Sequence, residues 1–312
     1  MRERGSAAML APMTMPTDRN LRMAERIAGA PVRYPFSFVV AGDSGAWPDP
    51  TAEAIFAQLL RQAAAVKPVF FANLGDFAGP GTPERHAAYL EQVASLPMPD
   101  VCVIGNHDLD HADAPATWAG VHGPRSFTFA HGHTRFVALD GAPGTVGELV
   151  VSGPDGATAG PDEAALAFLD ATLAAADEPH RVVLTHAPPR MGAHYAPHTE
   201  WGFDRHEGAF FAILRRHGVR LVCCAHGLAF DHHVHHGIRI VMSGGGGTAL
   251  CSHLHGVCAE GDGRPEDRGA LFHAVQFVIQ EDGRMQGRVL QAFEREPGRA
   301  RIRFGDDQDS AT

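Results

Sequence analysis

Short apolar runs that close on a polar side chain recur along the chain. Phe38-Val39-Val40-Ala41 runs into Gly42-Asp43-Ser44-Gly45, and Val69-Phe70-Phe71-Ala72-Asn73-Leu74 runs into Gly75-Asp76. Val101-Cys102-Val103-Ile104 is followed by Gly105-Asn106-His107-Asp108. Later, Arg181-Val182-Val183-Leu184-Thr185 ends at His186, and Leu221-Val222-Cys223-Cys224-Ala225 ends at His226. Apolar runs of this length, bounded by turn residues, predict buried strands. Between the first two, Ile55, Leu59, Leu60 and Ala63 keep helical spacing until Lys67-Pro68 stops them. Between the second and third, residues 83–96 read as a helix, with Thr82 as N-cap and Pro97 as the stop. Strand, helix and strand at these lengths form parallel crossover units.

The second half adds antiparallel signals. Residues 126–139 alternate around His131-Gly132-His133, which predicts a hairpin with both histidines at its tip. Residues 161–176 and 207–217 read as helices, the first with Pro161 in its opening turn. Residues 238–242 form a strand that ends in Ser243 and four glycines. Two terminal strands, 271–279 and 285–293, flank Glu281-Asp282-Gly283. The stretch 141–161 predicts a long surface loop, and the loop up to Glu207 holds His194, Tyr195, His198, Trp201 and Arg205 as a possible substrate rim. The expected organisation is an N-terminal extension over 1–33 with a short helix near 21–27, one domain over 34–303, and an acidic tail over 304–312. In open α/β sheets ligands bind beyond the carboxyl ends of the strands, so the five polar strand ends are expected to converge.

Composition narrows the function. A chain of 312 residues that is 45% hydrophobic can bury a large core. A formal charge of −10 argues against general nucleic-acid or anionic-membrane binding. The cysteines number 5, an odd count without scaffold spacing, and three of them fall inside predicted strands as small buried hydrophobes. The N-terminal apolar stretch is broken by Pro12, Thr14, Pro16 and Asp18, unlike a signal peptide or a membrane span. A cytoplasmic protein, with no nucleic acid and no membrane as partner, is the expectation. Histidine stands out at 20 residues, with His226, His232, His233, His235, His236, His253 and His255 in one stretch.

Carboxylates, an amide oxygen and imidazoles make a shell suited to Zn, Mn or Fe. Two such ions held by a shared carboxylate clamp an in-line displacement at phosphorus and lower the pKa of a bound water. At this point the chain resembles the calcineurin-like metallophosphoesterase superfamily, over about residues 36–250. The resemblance rests on the ordered blocks Gly42-Asp43, Gly75-Asp76, Gly105-Asn106-His107-Asp108, His186 and His226. Gly45, two residues after Asp43, and the run Ser243 to Gly247 look like the purple acid phosphatase branch.

The resemblance implies a four-layer α/β/β/α sandwich with two mixed β-sheets and flanking helices. It implies one or two divalent or trivalent transition metal ions, Mn, Fe or Zn. Asp76 would bridge them, Asn106, His186 and His226 would complete one site, and Asp43 would belong to the other. His107 would act as the acid at the leaving oxygen, with Asp108 orienting it. The chain departs from the family where Gly45, Gly79 and Leu228 replace residues that commonly ligate the second metal. His232, His233, His235, His194 and His198 are candidate substitutes, and Arg190 and Arg205 are candidate phosphate-binding residues. The expected activity is hydrolysis of a phosphoester, a small phosphomonoester, by attack of a metal-activated hydroxide. The alternative is a non-catalytic or mononuclear relative that binds a phosphorylated ligand or does other metal chemistry.

Overall fold

A computed structural model describes residues 17–141, 159–192, 201–250, 271–293 and 303–306. Helix α1 (Arg19–Ala28) precedes strands β1 (Phe36–Ala41), β2 (Phe70–Asn73) and β3 (Asp100–Cys102), which are linked by helices α2 (Pro50–Ala65) and α3 (Pro83–Val93). A short helix α4 (Ala114–Val121) leads to the hairpin β4 (Phe127–His131) and β5 (Thr134–Ala138). Helix α5 (Glu163–Ala174), β6 (His180–Leu184), α6 (Glu207–Arg216) and β7 (Leu221–Cys224) follow. The chain then adds β8 (Phe230–His235), β9 (Ile238–Ser243), β10 (His273–Ile279), β11 (Met285–Gln291) and β12 (Arg303–Gly305).

These strands make two mixed sheets of six, ordered β12-β11-β10-β1-β2-β3 and β4-β5-β6-β7-β9-β8. Within the first, β1, β2 and β3 are parallel and β10 is antiparallel to β1. In the second, β5, β6, β7 and β9 are parallel, with antiparallel β4 and β8 at the edges. Alternation along the strands separates three cores. Phe38, Val40, Phe70, Phe136, Leu184 and Phe277 fill the space between the sheets. Val39, Phe71 and Cys102 face Phe56, Leu59 and Tyr89 of α2 and α3, whereas Val183, Val222 and Ile240 face Leu169, Phe210 and Leu214 of α5 and α6. The result is the expected α/β/β/α sandwich.

Caps explain several boundaries. Asp49, Thr82 and Asp162 each accept a backbone N–H in the first turn of α2, α3 and α5. Asp162 therefore starts α5, and Pro161 lies ahead of the helix instead of in its first turn. Residues 19–28 are part of the fold: Arg19 and Asn20 of α1 are buried, and the Asn20 amide pairs with both the N–H and the C=O of Cys102 on edge strand β3. At the other end Phe304 is buried beside Phe230 and Phe277, so the sheet runs past residue 303, into the segment expected as tail. Cys102, Cys223 and Cys224 are buried free thiols. Among the described residues no helix is long and apolar enough to cross a membrane. Residues 142–158 of the expected surface loop, His194, His198 and the histidines at 253 and 255 lie outside the described residues.

Candidate metal centre

All five polar strand ends lie at the carboxyl edge of the parallel strands, Asp43, Asp76 and Asn106 after β1, β2 and β3, and His186 and His226 after β6 and β7. Glycines let the loops close. A Cβ on Gly42 would sit 2.4 Å from the Ala225 Cβ, one on Gly75 2.5 Å from His186 Nδ1, and one on Gly105 2.1 Å from Asp76 Oδ1. Ser243 O accepts from Gly42 N–H at 2.8 Å and Gly246 N–H donates to Gly42 O at 2.9 Å, so the glycine run after β9 ties the two sheets together above the site.

Asp76, His186 and His226 each bring a ligand atom within 4.8 Å of one another. His186 Nδ1 lies 2.8 Å from Leu74 O, which accepts its proton and turns Nε2 inward. There Nε2 meets Asn106 Oδ1 at 3.0 Å, Asp76 Oδ2 at 3.3 Å and His226 Nδ1 at 3.3 Å. Asp43 Oδ2 accepts the His226 backbone N–H at 2.8 Å, while its buried Oδ1 has no hydrogen-bond partner. Carboxylate, amide and imidazole lone pairs thus converge on one spot. Burial works against charging His186, but the Asp76 carboxylate overrides it and lifts its pKa to about 9. Burial and the His186 charge press His226 down to about 3. Burial raises Asp43 well above the usual carboxylate range, whereas the His186 and His107 charges outweigh burial at Asp76 and hold it below that range.

The backbone is strained at the same place. Asp43 (φ 59°), Asp76 (φ 57°) and His226 (φ 67°) all occupy the left-handed region. Each such residue costs about 1–3 kcal/mol and persists where surrounding structure imposes it, commonly at functional sites. Three of five polar strand ends in this state argues against their being ordinary turns.

His107 opens a short 3-10 turn (His107–Leu109) and is partly buried beside the cluster, its backbone N–H donating to Asp76 Oδ1 at 2.9 Å. The expectation that Asp108 orients it is overturned. The Asp108 carboxylate accepts the N–H groups of Asp76 (2.9 Å), Phe77 (3.0 Å), Ala78 (2.8 Å) and Gly105 (2.9 Å), and so clamps the loop after β2. Asp110 is the partner instead, with Oδ2 at 2.6 Å from His107 Nδ1. Adjacent side chains on a helical turn diverge, whereas i and i+3 meet. Burial disfavours a charged His107, yet Asp76 and the Asp110 hydrogen bond raise its pKa to about 9. A second residue that sequence reasoning missed is Trp47, whose ring centroid lies 4.9 Å from that of His107.

Of the five expected substitute ligands, the three among the described residues are not delivered. His232, His233 and His235 lie on β8, which runs antiparallel to β9 and so leads away from the carboxyl edge. His232 stacks on Phe304, His233 Nδ1 pairs with Asp231 at 2.9 Å, and His235 rests on Phe211. Nor do the two arginines enter the cluster. Arg190 pairs with Glu207 at 3.0 Å and Arg205 donates to Gly160 O at 3.2 Å. Positions 45 and 79 are closed to side chains: a Cβ would lie 2.6 Å from Phe77 O at the first and 1.9 Å from Ala46 O at the second.

Comparison with known proteins agrees with this geometry. The calcineurin-like phosphoesterase family model matches residues 36–229. Among solved structures, purple acid phosphatase PPD1 from yellow lupin (Lupinus luteus) seeds superposes with a TM-score of 0.61 at 14% identity, over 86% of this chain and 53% of that one. The chain thus spans about half the length of that phosphatase. A dimetal phosphatase from Danio rerio gives 0.61 at 15% identity, covering 83% of this chain and 98% of the other. GAP50, the anchor in the inner membrane complex of Plasmodium, gives 0.62 at 13% identity, covering 88% and 89%. No curated protein matches.

Proposed function

Because the chain belongs to the calcineurin-like phosphoesterase family, we propose that it is a metal-dependent phosphoester hydrolase acting on a small phosphomonoester. The observation that carries this is the convergence of Asp76, Asn106, His186 and His226, with left-handed backbone at Asp76 and His226 and a buried carboxylate oxygen of Asp43 beside them without a partner. That donor set fits Mn, Fe or Zn. Asp76, Asn106, His186 and His226 would hold one ion, and Asp43 would face it from the side where positions 45 and 79 carry no side chain. When bound, such an ion supplies Lewis acidity and lowers the pKa of a water.

The chain's own residues do the rest. Leu74 O fixes the His186 tautomer, leaving Nε2 free to ligate. Asp108 ties the loop after β2 to the loop after β3, so Asp76 and Asn106 keep their separation. Asp110 holds His107 Nδ1, which leaves Nε2 to protonate the leaving oxygen.

The test is elemental analysis of protein purified without chelator, paired with hydrolysis of phenyl phosphate. One ion per chain is expected, with turnover that falls about 10²–10⁴-fold in His107→Ala. Absence of both ion and turnover after incubation with Mn, Zn and Fe defeats the proposal. A second reading, a non-catalytic binding relative, is favoured by the bare positions 45 and 79. Ligand binding without turnover under all three metals would select it.

A further inference from the structure

Trp47 is unusual for its place. It is 45% exposed, one of few large hydrophobic side chains at the surface among the described residues, and it stands over the imidazole next to the metal cluster. Its loop is not free to move aside. Gly45 N–H donates to Asp76 O at 2.9 Å, Gly79 N–H donates to Gly45 O at 3.0 Å, and Ala46 N–H donates to Thr248 Oγ1 at 3.2 Å. Ala46 is buried, Pro48 follows the Trp, and Asp49 caps α2. The backbone that carries the indole is therefore pinned, and the ring is open above. The ring planes of Trp47 and His107 meet at 55°, a tilted contact and not a stack, so covering His107 does not use up the indole face.

We propose that Trp47 is the platform on which a planar, aromatic leaving group stacks, which makes aryl-type phosphomonoesters (aryl or heteroaryl alcohols and nucleobase-bearing esters) the substrate class. The inference rests on the hydrolase reading, because it takes His107 as the group facing the leaving oxygen. An aromatic plate there gains π-stacking that a saturated ring of the same size does not. Base-on-aromatic stacking typically contributes enough to change binding by about tenfold or more per ring.

The experiment uses full-length protein loaded with Mn and two non-hydrolysable probes, phenylphosphonate and cyclohexylphosphonate, titrated by calorimetry. Wild type is expected to prefer the phenyl probe by about tenfold. Trp47→Ala is expected to bring the two within about twofold, and Trp47→Phe to keep most of the preference. Equal binding of the probes by wild type, binding of neither, or a preference that survives in Trp47→Ala overturns the platform. Phenyl and cyclohexyl phosphate turnover then separates the two ideas. An equal kcat loss for both esters in Trp47→Ala, restored by Trp47→Phe, would mean that the indole only shapes His107, which also overturns the platform. A Trp47-dependent preference without any hydrolysis removes the hydrolase reading, and with it the leaving-group role, and leaves Trp47 as an aromatic-binding contact only.

Discussion

Two buried polar clusters, one at the outer edge of the first sheet and one where the carboxyl edges of both sheets meet, behave in opposite ways. At the outer edge, Arg19 pairs with Asp100, Tyr89 O–H donates to Asp100 Oδ2 at 3.1 Å, and Asn20 satisfies both backbone groups of Cys102. Charges there meet opposite charges, and donors meet acceptors. At the carboxyl edge, the ligand-type atoms of Asp76, Asn106, His186 and His226 crowd together, and Asp43 Oδ1 has no hydrogen-bond partner. Left-handed backbone marks Asp43, Asp76 and His226 but neither Asp100 nor Cys102. A polar cluster that serves the fold is complete in itself, whereas one arranged for a cation crowds ligand atoms together and leaves a buried carboxylate oxygen unpaired.

The largest effect that tests this contrast is at Asp76. Asp76→Asn is expected to lower phosphoester turnover by 10³-fold or more, since the ion's several kcal/mol of transition-state stabilisation goes with it. Added Mn is expected to raise the Tm of the wild type and to leave that of Asp76→Asn unchanged, because a cation stabilises only a state that binds it. Turnover that persists, or a Tm that still responds to Mn, would show that the carboxyl-edge cluster is not a cation site.

The mirror experiment removes Arg19. Arg19→Met leaves the buried Asp100 carboxylate without its partner, and stability is expected to fall by about 3–5 kcal/mol in denaturant unfolding. The Mn-dependent rise in Tm should survive in the folded fraction, because none of the metal donors touches Arg19. Loss of the Mn response together with stability would erase the distinction between the two regions.

The carboxyl-edge cluster was legible in sequence because each member ends an apolar run, often after a glycine, and the topology of parallel strands does the rest. The outer-edge cluster was not legible. Arg19 and Asn20 precede the first strand in a stretch that looks like an extension, and Asp100 opens β3 with no local pattern to say that a helix 80 residues earlier covers it. Asp110 was hidden for a simpler reason. Its spacing from His107 matters only once residues 107–109 are known to turn. Strand β8 was masked by its own chemistry, since Asp231, His232, His233 and His235 resemble a ligand-rich loop, yet the segment pairs with β9 along its whole length. Helix α4 carries Pro115 and few charged residues, so no amphipathic period announces it.

A second imidazole pair sharpens the contrast and gives the smallest expected effect. His86 Nδ1 lies 3.1 Å from His122 Nε2, much as His186 meets His226, but the surroundings are Phe77 and Trp118, and no carboxylate among the described residues shifts either ring. Burial alone lowers His86 to about 4, and it lowers His122 as well, whereas the Asp76 carboxylate lifts His186 to about 9. The sign follows from linkage. Below the ordinary histidine value of about 6.5, the unfolded chain takes up a proton at His86 that the native state refuses until about pH 4. Stability is therefore full above about pH 6.5 and declines as the pH falls toward 4, with His86 alone accounting for a loss of about 2 kcal/mol at pH 5. Urea midpoints of wild type and His86→Phe at pH 7.5 and pH 5 measure it, and the variant is expected to lose less stability between them. Equal losses in the two proteins would mean that His86 takes up its proton in the native state, and that a buried imidazole pair here needs no carboxylate to carry charge.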